Sequence, residues 1–123
     1  MIKKILVIDD DEGILEGFTA ILESEKYTVI TSRNPLNVER LATKELPDLI
    51  LLDILLSGHD GRTICKLLKH SKVTKDIPII MMSAALNMSE SVKKAGADGF
   101  LKKPFEMDEL LATVSKYIET SHS

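Results

Sequence analysis

Residues 48–61 read DLILLDILLSGHDG: four apolar residues, an aspartate at 53, then three more apolar residues before a turn. Burying an unpaired carboxylate costs several kcal/mol, roughly, so Asp53 either closes a strand or meets a cation. Runs of the same kind recur along the chain, KILVI at 4–8, YTVIT at 27–31, LILL at 49–52, IIMM at 79–82 and GFL at 99–101, and these predict five strands. Between the first two runs, Ile14, Phe18, Ile21 and Leu22 fall three and four apart, the spacing of one buried helical face. Val38 and Leu41 after Pro35, then Ile64, Leu67 and Leu68 after Gly61, repeat the pattern. Leu110, Leu111, Val114 and Ile118 after Glu106 extend it to the end of the chain, and Met88, Val92 and Ala95 give a weaker helix over 87–96.

Strand and helix in strict alternation imply right-handed crossovers, hence an α/β fold with a parallel sheet covered by helices on both faces. Strands buried on both faces read as unbroken apolar runs, which places the first, third and fourth runs in the centre of the sheet. The doubly wound, flavodoxin-like order 2-1-3-4-5 satisfies this and has its switch point between strands 1 and 3. Ligands of such sheets bind beyond the carboxyl ends of the strands.

The chain has 123 residues, the size of one domain, and no linker or low-complexity tract interrupts 1–123. A net charge of −3 with no basic stripe argues against direct nucleic-acid binding. Cys65 stands alone, and His59, His70 and His122 lack zinc-site spacing, so a reducing, cytoplasmic setting is expected. The opening MIKKILVIDDDEG turns acidic before a signal peptide or a membrane span could be completed. The segment TSHS closes the chain, so no output domain is expected after the last helix.

The polar residues that end the predicted strands collect on one rim. Asp9 and Asp10 follow the first, Asp53 the third, Ser83 the fourth, and Lys103 with Pro104 the fifth. Each has an ordinary reading: an acidic run caps a helix, as Asp11 is expected to do, a lone Asp starts a turn, and KKP precedes a helix. Their joint occurrence at successive strand ends favours a site. Three crowded carboxylates repel one another, and a hard divalent cation with oxygen ligands, Mg²⁺ above all, relieves them. Asp9, Asp10 and Asp53 carry −3, which Mg²⁺ and Lys103 balance. A phosphoryl group on Asp53 would bring three acceptor oxygens, to which Ser83 and Lys103 can donate.

In these motifs the chain resembles a response-regulator receiver domain of the single-domain, chemotaxis-regulator kind, from Lys3 to about Ile118. ILVIDDDEG is similar to the acidic first strand end, PDLILLDILLSGHDG to the phosphoacceptor strand and loop, IPIIMMSA to the hydroxyl-bearing strand, and GADGFLKKPF to the switch aromatic and lysine. The resemblance implies Asp53 as phosphoacceptor, Asp10 as a direct Mg²⁺ ligand and Asp9 as one acting through water. It also implies the Leu55 backbone carbonyl as a further ligand, Mn²⁺ as a substitute ion, Ser83 and Phe100 as switch residues, and a cis bond between Lys103 and Pro104. Three departures stand out: Ser57 in place of proline, which predicts a less rigid loop, Ser83 and Phe100 in place of threonine and tyrosine, and a shortened stretch from Ser83 to Gly96. Leu55 and Ala85 flank the site and are candidates for setting the phosphoryl lifetime.

The function implied is a phosphorylation switch, not an enzyme in its own right. It would be charged by a sensor histidine kinase or a histidine phosphotransfer protein and read by another protein at the face of helix 4, strand 5 and helix 5, as a monomer or weak dimer. Two alternatives share the motifs. A haloacid-dehalogenase-like phosphatase would use Asp9 as nucleophile and Asp11 as acid/base, but it wants threonine or valine where Gly13 stands and leaves Asp53 without a role. A receiver fragment of a hybrid kinase would read identically. A receiver fold without phosphorylation would lack a site residue, and none is missing.

Overall fold

Alternate residues of a strand face opposite sides, so an apolar run fills two layers at once. The computed structural model, which describes residues 2–120, does this in every central strand. In chain order the elements are β1 (Lys4–Ile8), α1 (Glu12–Ser24), β2 (Thr28–Ser32), a 3-10 turn (Pro35–Asn37), α2 (Val38–Glu45) and β3 (Leu49–Asp53). There follow β4 (Leu55–Leu56), β5 (His59–Asp60), α3 (Gly61–Lys69), β6 (Ile79–Ser83), α4 (Ser89–Lys94), β7 (Gly99–Lys102) and α5 (Met107–Thr120). The main sheet is parallel with order β2-β1-β3-β6-β7, which is the expected 2-1-3-4-5 once the small antiparallel β4-β5 pair is set aside.

Leu6, Ile8, Ile50, Leu52, Ile79 and Met81 pack on one side against Val38 and Ala42 of α2, Cys65 and Leu68 of α3, and Val92 of α4. Ile5, Val7, Leu49, Leu51, Ile80 and Met82 pack on the other against Leu15, Phe18 and Leu22 of α1 and Leu110, Val114 and Ile118 of α5. Helices therefore cover both faces. Among the described residues, no helix is long and apolar enough to cross a membrane.

The structure shifts several expectations. Ile14, expected in the core, is 38% exposed, and Leu15 is buried in its place beside Phe18 and Leu22, which are buried as expected. Leu67 is half exposed, while Cys65 fills the core with a thiol that burial pushes up to about 11. The strands also run further than their apolar runs: β3 includes Asp53, β6 includes Ser83, and β7 reaches Lys102. His122 and residues 121–123 of the TSHS segment lie outside the described residues.

Helix starts follow side-chain chemistry. Asp11 caps α1 as expected, its Oδ1 accepting from the Ile14 amide at 3.1 Å. Asp60 caps α3, accepting from the Arg62 amide at 2.9 Å. Met88 offers α4 no side-chain cap, and that helix is six residues long.

Candidate functional site

Parallel pairing sets the carboxyl ends of β1, β3 and β6 side by side, so the residues that end or follow them share one rim. Asp9, Asp10 and Asp53 each bring a carboxylate oxygen to within 4.8 Å of the others. Asp9 is 1% exposed, and both of its oxygens are engaged: Oδ1 accepts from the Asp11 amide at 3.0 Å, and Oδ2 from the Lys103 ammonium at 3.0 Å. Lys103 also stands 3.5 Å from Asp53 Oδ2. It immediately precedes the cis Lys103–Pro104 bond, and its amide donates to the Ser83 carbonyl, so pairing beyond β7 fixes where the side chain starts.

Burial raises the Asp53 carboxyl above the ordinary value, Lys103 opposes the rise, and the charges of Asp9 and Asp10 add to it. Burial works against the charge of Lys103, but hydrogen bonding to Asp9 and the charges of Asp53 and Asp9 outweigh it, so the ammonium holds its proton more firmly than usual. Three carboxylates against one ammonium leave a formal −2. An all-oxygen donor set with that residual charge suits a hard divalent cation, so the residues fit Mg²⁺.

The other sequence candidates lie on the neighbouring strands and loop. Ser83 is buried at the end of β6, and its Oγ accepts from the Ala85 amide at 3.0 Å. Phe100 lies on β7, partly buried against the core layer that contains Met81 and Val92, away from the carboxylates. Leu55 is 71% exposed, so its apolar side chain contributes nothing to the core.

What sequence reasoning missed is how the segment after Asp53 is held. Ser57 and Gly58 both have positive φ, 41° and 84°, the requirement of a tight two-residue hairpin turn, and they join β4 to β5. The Ser57 amide and hydroxyl donate to Asp10 Oδ2 at 3.1 and 3.3 Å. The loop expected to be less rigid for want of proline is thus tethered to the acidic centre, through an amide that proline lacks. Gly61 closes the loop: its amide donates to the Ile54 carbonyl at 2.7 Å, and any Cβ there would strike the Asp53 carbonyl. The signal was present in SGHDG, since Ser-Gly suits a turn and Asp-Gly a cap before a close approach.

The phosphatase alternative does not fit this arrangement. Its nucleophile, Asp9, is buried and bound through both oxygens, and its acid/base, Asp11, is engaged as a helix cap.

Comparisons with known proteins agree on one family. A model of the response regulator receiver domain matches residues 5–115. The chain is 37% identical over 120 residues to sporulation initiation phosphotransferase F of Bacillus subtilis, covering 96% of this chain and 95% of that protein. It is 37% identical over 113 residues to the DNA-binding dual master transcriptional regulator RpaA of Synechocystis, covering 90% of this chain but only 47% of that regulator's length. Among solved structures, a CheY-like response regulator receiver domain protein of Methanospirillum hungatei superposes with a TM-score of 0.91 at 27% identity, over 99% of this chain and 98% of that one.

Proposed function

We propose that this chain, which belongs to the response regulator receiver domain family, is a signalling switch in a two-component phosphorelay, with Asp53 as the residue that accepts the phosphoryl group. The observation that carries the reading is the convergence of Asp9, Asp10, Asp53 and Lys103 at the carboxyl ends of neighbouring parallel strands.

Asp9, Asp10, Asp53 and the Leu55 carbonyl would hold Mg²⁺ or, as a substitute, Mn²⁺. Bound there, the ion would offset negative charge on the transferring phosphoryl oxygens. Asp53 attacks phosphorus in line: an Asp53 oxygen–phosphorus bond forms, the phosphorus–nitrogen bond of a donor phosphohistidine breaks, and the electron pair leaves with the imidazole. Held by Asp9, Lys103 is already beside Asp53 and can turn to the new oxygens. Ser83 exchanges its acceptor role toward Ala85 for a donor role toward phosphate, a rotation of one hydroxyl. As Ser83 moves, Phe100 turns inward and the face of α4, β7 and α5 changes for a docking partner.

The donor is a sensor histidine kinase or a histidine phosphotransfer protein, and the reader is another protein. The domain acts in the cytoplasm as a monomer or weak dimer, makes no direct contact with nucleic acid or membrane, and catalyses only its own phosphorylation and slow dephosphorylation.

Incubation with acetyl phosphate, with and without Mg²⁺, tests this by intact mass and peptide mapping. A phosphoryl adduct on the Asp53 peptide that requires Mg²⁺ and is lost in Asp53→Asn is the expected result. A wild-type protein that stays unmodified under saturating donor and Mg²⁺ would refute the reading.

A further inference from the structure

Arg62 makes a polar link between the hairpin after Asp53 and α4. Its guanidinium grips the Asp60 carboxylate through Nε at 2.9 and 3.1 Å and Nη2 at 2.6 Å, a forked contact that fixes both partners. Its remaining arm, Nη1, donates to Ser91 Oγ at 3.2 Å across the cleft between α3 and α4. Ser91 in turn donates to the Met88 carbonyl at 3.0 Å, which ties the contact to the first turn of α4.

Both ends of this bridge lead to the site. Asp60 is the register partner of Leu55 in the β4-β5 pair, two residues beyond Asp53, and the same hairpin's tip is held by Ser57 on Asp10. At the far end, α4 is short, lacks a side-chain cap, and is anchored in the core by Val92 with Met88 beside it. Beside that core contact, the Arg62–Ser91 bond adds a polar tether to the helix.

We infer that Arg62 is a positioning residue that couples the loop after Asp53 to α4, a second route from the acidic site to the docking face, separate from Ser83 and Phe100. The inference rests on the switch reading above. Asp10 serves both a bound cation and Ser57, so loading the site redistributes the hold on the hairpin tip. The hairpin then shifts Asp60, and Arg62 carries that shift to Ser91.

The test uses the full chain and Mg²⁺ alone, with two readouts: the Mg²⁺ Kd by calorimetry, and amide hydrogen exchange of residues 89–94 with and without Mg²⁺. Wild type should bind Mg²⁺ and change its exchange across 89–94. Ser91→Ala should at least halve that change while moving the Kd by less than about twofold, and Ser91→Thr, which keeps the hydroxyl, should restore it. Arg62→Ala should raise the Kd by more than about twofold, because it also frees Asp60, the partner of Leu55 in the hairpin. Arg62→Lys should not rescue it, because an ammonium lacks the fork. In the Arg62→Ala background, adding Ser91→Ala should change nothing further. An exchange response in Ser91→Ala equal to wild type, or an equal effect of Ser91→Ala with and without Arg62, would overturn the coupling and leave the switch reading intact. Failure of wild type to bind Mg²⁺ would overturn the switch reading and the coupling together.

Discussion

Replacing Asp53 by asparagine removes one of three carboxylates from a rim where burial and like charge both disfavour ionisation. Because the folded-state pKa of Asp53 lies above its unfolded value, its ionisation weakens the fold fully above the folded pKa and not at all below the unfolded one. Asp53→Asn is therefore expected to raise the melting temperature of the metal-free protein at neutral pH by about 4 °C, on the order of 1 kcal/mol. The gain should fade as pH drops through the ordinary aspartate range, and thermal melts from pH 7 to pH 3.5 check it. Gly61 gives the opposite case. A methyl group there meets the backbone of Asp53, so Gly61→Ala should cost about 1–3 kcal/mol in urea unfolding and also impair labelling by acetyl phosphate.

At the scale of elements, α1 begins where Asp11 caps it, and Asp11→Ala should cost about 1 kcal/mol while Asp11→Asn stays close to wild type, as chemical denaturation would show. The C-terminus of α3 is held differently. Lys69 donates to the Ile77 carbonyl at 2.7 Å and to Asp98 at 2.8 Å, and Asp98 also accepts from the Ile79 amide, so one lysine ties α3 to the start of β6 and the approach to β7. Long apolar runs made the five main strands legible in the sequence, and the strand-end position of Asp53 made the acidic rim legible with them. The β4-β5 pair was legible only as a turn signal at Ser57-Gly58, because two-residue strands carry no periodicity. The exchange of Ile14 for Leu15 was missed for a related reason: both are apolar, and only packing chooses between them. Tertiary contact likewise decided the roles of Ser57 and Arg62, since their partners lie 47 and 29 residues away in the chain.

For the molecule as a whole, the central strands belong to both core layers, so neither layer can melt while the other persists. Leu52→Ala on one side and Val114→Ala on the other should both lower a single, probe-independent transition, Leu52→Ala by about 2–5 kcal/mol. Circular dichroism and calorimetry that disagree on the midpoint would count against this. Mg²⁺ should raise the same midpoint, by an amount equivalent to about 2.7 kcal/mol at one hundred times its Kd, with reversal by chelation and a smaller effect in Asp53→Asn. The enclosure of Lys103 bears on how the molecule meets its ionic surroundings. Its side chain is 21% exposed, against 1% for Asp9 and 12% for Asp53, whereas the Arg33–Glu12 pair is 59% and 71% exposed. Electrolyte screens charges that water can reach and acts much less on those it cannot. A brine strong enough to dissolve the outer ion pairs should leave this inner one standing, so the readiness of the acidic rim is set by the fold and not by the salinity of the medium.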